Sequence, residues 1–129
     1  GGGIAAIGYC FGGMVVLEYA RSGANIDGVV SVHDSLETPH PAEPSSIRAR
    51  LLVCHGALDP YVPMSQVTTF ADEMKHAGAD YQLMVYGNAM HGFTHETATG
   101  QQPGVHYHAQ TDARSTIAIR QFLAEILDK

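Results

Sequence analysis

Gly8-Tyr9-Cys10-Phe11-Gly12, with Gly13 directly behind it, decides how the whole chain is read. An apolar run, Ile4-Ala5-Ala6-Ile7, leads into it, and Met14-Val15-Val16-Leu17 leaves it with a helical pattern. Strand, sharp turn, helix, with a nucleophilic side chain between two glycines, is the layout of a nucleophile elbow. Here Cys stands where Ser is more usual. Such a turn forces its central residue into a strained backbone conformation, and strand and helix must pack closely around it. Side chains at positions 8 and 12 are therefore expected to collide. The sulfur would stand at a helix N-terminus, where free amides and the helix dipole favour negative charge.

Outward from that turn, strands and helices alternate. Ile4 to Tyr9 reads as a first strand, apolar on both faces as buried parallel strands are. Phe11 to Arg21 reads as a helix with Met14, Leu17 and Tyr19 inward, and Ser22-Gly23 as its stop. Gly28 to His33 is a second strand, and Arg50 to His55 a third. Between them Pro39, Pro41 and Pro44 mark a loop. Val67, Phe70, Ala71, Met74 and Ala77 recur at helical spacing up to Gly78. Tyr81 to Tyr86 is a fourth strand, and a last helix spans about Thr111 to Leu127. This order predicts an α/β fold, a parallel sheet with flanking helices and right-handed crossovers, as a single domain over residues 1–129.

In open parallel sheets, ligands bind beyond the carboxyl ends of the strands. Cys10, Asp59 and His91 each lie just after a strand, so the fold carries all three to one edge. A thiol nucleophile needs a base, and the base needs an acceptor to orient it. His91 suits the base, Asp59 the orienting acid and Cys10 the nucleophile, in the chain order used by α/β-hydrolases. His33 and His55 also end strands at that edge, either lining a pocket or simply hydrogen-bonded there. Tyr61, Phe93 and Tyr107 are equally readable as a substrate wall or as core.

Composition narrows the partners. A net charge of −6 without a Lys/Arg cluster argues against nucleic acid. No apolar run is long enough for a membrane span, and no signal peptide is visible. Two cysteines, Cys10 and Cys54, give no disulfide framework, which fits a reducing cytoplasm. His91, His95, His106 and His108 invite a metal reading. Cys54 lies mid-strand, however, and no compact His/acid cluster falls on a helix, so no metal and no cofactor are expected.

Three segments together carry a resemblance: Gly-Tyr-Cys-Phe-Gly-Gly at 8–13, His55-Gly56-x-x-Asp59-x-x-Val62-Pro63, and His91-Gly92-Phe93. They resemble the dienelactone hydrolase family, an α/β-hydrolase fold with a Cys-His-Asp triad and no cofactor. The resemblance implies Cys10 as nucleophile, Asp59 as acid, His91 as base and the Phe11 N–H as one oxyanion-hole donor. Where the archetype places a substrate-binding arginine four residues past the catalytic histidine, this chain has His95. A carboxylic ester or lactone is therefore the expected small-molecule substrate class. Family members also carry strands and helices before the elbow. The chain is accordingly expected to be the C-terminal half of such a fold, the elbow strand and the three after it. The alternative is a catalytically incomplete fragment that self-associates, as a homo-oligomer, through the edge of its first strand.

Overall fold

The structure is a computed structural model and describes residues 3–127. Four strands form one parallel sheet in the order β1-β2-β3-β4. They are β1 (Ala5–Tyr9), β2 (Gly28–Val32), β3 (Arg50–Gly56) and β4 (Tyr81–Tyr86). The helices are α1 (Phe11–Arg21), α2 (Met64–Ala77) and α3 (Ala109–Leu127). This is the α/β architecture that the alternation of elements predicts, and the boundaries agree to within a few residues. No helix among the described residues is long and apolar enough to cross a membrane.

The alternating side chains of the strands divide the core in two. Val29, Leu51 and Val53 point to one face and pack with Leu17 and Ala20 of α1 and Val67, Phe70 and Met74 of α2. Val30, Val32, Leu52 and Cys54 point to the other and meet Ile119, Phe122 and Ile126 of α3. The two central strands are buried on both faces, which explains their largely apolar runs.

Three expectations need correction. β1 is not buried on both faces: Ile7 is 40% and Tyr9 44% exposed, because β1 lies at the edge of the sheet. Tyr19 is exposed, since α1 turns Gly13, Leu17 and Ala20 to the sheet and leaves positions 11, 15 and 19 outside. Position 12 is open, with nothing near where a Cβ would stand. The crowding falls instead on Gly8, whose Cβ would strike the Gly12 carbonyl, and on Gly13, whose Cβ would strike the Asp34 carboxylate. Gly13 heads the buried stripe of α1, and Gly12 sits one residue around from it.

Arg21 fastens the end of α1 to its surroundings although its side chain is only 4% exposed. Its guanidinium donates to both carboxylate oxygens of Glu73 on α2, each at 2.8 Å, to Glu18 at 2.8 Å and to the Leu36 carbonyl at 2.8 Å. Glu73 also accepts from the Ala42 amide at 2.9 Å, so the pair ties both helices to the 34–46 loop. Breaking a buried pair strands the remaining charge. Arg21→Ala is expected to lower unfolding free energy by about 3–5 kcal/mol. The double variant Arg21→Met/Glu73→Leu should recover most of that loss, and chemical denaturation of the three proteins measures both.

Candidate active site

The parallel register brings the site together. Tyr9 pairs with Val32 and Val32 with Cys54, so the residues just past β1 and β2 emerge side by side. Cys10 caps α1 with φ 52° and ψ −125°, the strained left-handed-side backbone that the elbow requires. Its amide donates to the Val32 carbonyl at 3.0 Å, locking the turn onto β2. His33, also at positive φ (40°), donates its amide to the Cys54 carbonyl at 2.9 Å.

Asp59 and His91 arrive on the loops after β3 and β4. Asp59 is buried, and its Oδ1 accepts the amides of Tyr61 at 2.8 Å and Val62 at 3.2 Å, which fixes the carboxylate. Its Oδ2 accepts from His91 Nδ1 at 2.7 Å. His91 is held through its backbone as well: its amide donates to the Gly104 carbonyl, and its carbonyl accepts from His106. Gly92 at φ 68° turns the chain directly behind it. His91 Nε2 then stands 3.7 Å from Cys10 Sγ. The three residues form a line from carboxylate to imidazole to sulfur.

Two further histidines touch the same sulfur. His33 Nδ1 and His95 Nε2 each lie 3.2 Å from Cys10 Sγ. The sequence placed His33 at the correct edge but gave it no role beside the thiol. The available signal was register, since His33 follows β2 just as Cys10 follows β1. His95, expected near the substrate on resemblance alone, is exposed and stands beside the Cys10 sulfur. Tyr61 flanks His91, with ring centroids 5.6 Å apart, and its hydroxyl donates to the Pro103 carbonyl at 2.8 Å. Phe93 is fully buried in the α3 core and stacks edge-on against His33, so it supports the site from behind and presents no surface to a ligand. Phe11 begins α1, where an amide has no intrahelical acceptor. Both cysteines are free thiols.

The histidines are electrostatically unlike. The Asp59 hydrogen bond, and after it the contact with Cys10, raise His91 from 6.5 to about 10 against the opposing effect of burial. Burial drives His33 down to about 4, and His95 and His91 push the same way. His55 is buried with neither ring nitrogen paired among the described residues, and burial lowers it too, opposed by Asp59. For Asp59 burial acts upward, but the His91 hydrogen bond and charge and the Tyr61 amide outweigh it and hold the carboxyl below 3.8. The Asp59 carboxylate thus favours the charged form of His91, whereas burial favours the neutral form of His33.

A sequence model of the Dienelactone hydrolase family matches residues 1–127. The chain belongs to the dienelactone hydrolase family. A solved structure named m3DLH superimposes with a TM-score of 0.88 at 41% identity, over 95% of this chain and 52% of its own. An uncharacterized protein of Caenorhabditis elegans is 35% identical over 95% of this chain and 79% of its own length. The carboxymethylenebutenolidase homolog of Mus musculus is 27% identical over 71% of this chain and 37% of its own. The chain thus spans about half of the solved relative and less of the mouse one.

The raised His91 pKa sets the sign of a pH effect. A group raised on folding contributes stability that is complete below its unfolded pKa of 6.5 and is lost as pH climbs through about 10. In Asp59→Asn the His91 ring should titrate well below its wild-type value, and the alkaline decline in stability should flatten. An NMR titration of the His91 ring, with melting curves at matching pH values, tests both.

Proposed function

We propose that this chain carries the catalytic residues of a cysteine-dependent hydrolase of carboxylic esters or lactones. The observation that carries the reading is the Asp59–His91–Cys10 line, at 2.7 Å and 3.7 Å, on the strand-end edge of a dienelactone hydrolase family fold. On this reading Cys10 Sγ, its proton passed to His91, attacks the substrate carbonyl carbon. The Phe11 amide is one donor to the developing oxyanion. The C–O bond of the ester breaks, His91 returns the proton to the departing alkoxide, and a thioester remains on Cys10. Water, deprotonated by His91, then attacks the thioester carbonyl, releases the acid and regenerates the thiol.

His33 is nearer the sulfur than His91, yet it suits the base poorly. It has no carboxylate partner, its Nε2 is hydrogen-bonded to Thr94 Oγ1 at 2.7 Å, and burial disfavours its charged form. We assign it to positioning the sulfur. His95 and Tyr61, exposed around Cys10 and His91, are the side chains placed to contact substrate. In this proposal residues 1–129 act as one part of an α/β-hydrolase domain. A second oxyanion donor belongs to the portion of the relatives' fold that the chain does not span. A reducing compartment such as the cytoplasm would keep Cys10 a thiol.

Turnover of p-nitrophenyl esters and of dienelactone by this chain and by Cys10→Ala tests the proposal. Loss of the nucleophile is expected to lower kcat/KM by at least about 10³-fold, with acyl adducts at Cys10 visible by intact mass only in the wild type. Equal background rates in the two proteins would reject catalysis by this chain.

A further inference from the structure

Hydrolysis needs one imidazole beside the thiol, and the site supplies three. Cys10 Sγ, His33 Nδ1 and His95 Nε2 all lie within 4.8 Å of one another, with both sulfur–nitrogen distances at 3.2 Å. A tetrahedral zinc ion, with Zn–S about 2.3 Å and Zn–N about 2.0–2.1 Å, sets sulfur and nitrogen roughly 3.6 Å apart and two nitrogens about 3.4 Å apart. The sulfur–nitrogen spacings therefore need to open by only a few tenths of an ångström. His95, exposed on its loop, can close the nitrogen–nitrogen distance by rotating its ring.

The donor set has a definite chemistry. One thiolate and two imidazoles select zinc and similar borderline ions over calcium and magnesium, which take oxygen ligands. His33 is also braced as a metal ligand is, because its far nitrogen is hydrogen-bonded to Thr94 Oγ1 at 2.7 Å. Its ring is fully buried and wedged edge-on between Phe93 and His95, so its Nδ1 is held on the sulfur. Of the histidines whose number in the tail first suggested a metal, only His95 takes part. The other two donors come from the elbow and the end of β2.

We propose that Cys10, His33 and His95 form a three-ligand zinc site, with the fourth corner left to water, and that zinc there blocks the nucleophile. On binding, a Zn–S bond forms and the S–H bond breaks. The thiol proton goes to solvent and no oxidation state changes. Donation to zinc lowers the nucleophilicity of the sulfur and the ion occupies the space in front of it, so ion and substrate exclude each other. Zinc binding stands or falls separately from the hydrolase reading, because its test does not use turnover; the block on the nucleophile rests on that reading.

The test loads the purified chain with Co2+ alone and then titrates Zn2+ against a chromophoric chelator. One ion per chain is expected, with a thiolate-to-cobalt charge-transfer band in the near ultraviolet. Cys10→Ser should abolish the band. Cys10→Ser and His95→Ala should each weaken Zn2+ binding by at least about 100-fold, more than loss of an outer-shell partner costs. His106→Ala should leave affinity unchanged. Both key variants change partly exposed positions, and circular dichroism checks that they stay folded. A cobalt-loaded protein without the band would overturn the proposal. So would a Zn2+ affinity indifferent to Cys10→Ser but lowered by His106→Ala.

Discussion

The close approach of β1 to α1 is the constraint on which the rest depends. Gly8 has no room for a Cβ because the Gly12 carbonyl occupies that space, and this contact closes the turn. With the turn closed, Cys10 is forced to φ 52°, a conformation that costs about 1–3 kcal/mol and persists only where the surroundings over-determine it. They do so here through two backbone bonds, Cys10 amide to Val32 carbonyl and Gly13 amide to Cys10 carbonyl. The strain aims the sulfur away from the sheet and toward the loops that follow β3 and β4.

Parallel pairing then does for the other residues what the turn does for Cys10. Because β1, β2 and β3 run in register, their ends lie level, and a residue placed just after one strand meets residues placed just after its neighbours. Gly56 extends the effect to β4. A Cβ there would press on the Ala89 and Met90 carbonyls, so its absence lets the loop after β4 fold down over the end of β3. Asp59 and His91 meet by that route.

Much of this was legible in the sequence. Buried parallel strands write themselves as apolar runs, and the amphipathic helices carry their period openly, so the elements and the meeting of Asp59 with His91 could be read directly. What failed had a common cause. Tyr19, Ile7 and Tyr9 are apolar or aromatic residues left exposed, and a hydrophobic pattern cannot say which of two apolar faces is covered. Phe93 failed for a related reason. Two residues past His91, it passes under the loop into the α3 core, and the sequence does not reveal on which side of a turn an aromatic ring falls. His33 was invisible as a neighbour of the thiol because its proximity comes from pairing between strands, not from any local spacing.

Three imidazoles around one sulfur differ mainly in what each holds on its far side. His91 is bonded to a buried carboxylate, which orients its ring and favours its charged form. His33 is bonded to a neutral hydroxyl inside the core, so it stays neutral and gives the sulfur a fixed neighbour. His95 is exposed, and its ring has no hydrogen-bond partner but Cys10 among the described residues, which leaves it free to turn toward an incoming group. A base must be held in orientation and able to gain and lose a proton, whereas a metal ligand must keep a lone pair aimed inward. By that criterion Asp59 divides the cluster. On the two proposed readings it reserves His91 for acid–base work and leaves His33 and His95 as the pair through which zinc would hold the same thiol.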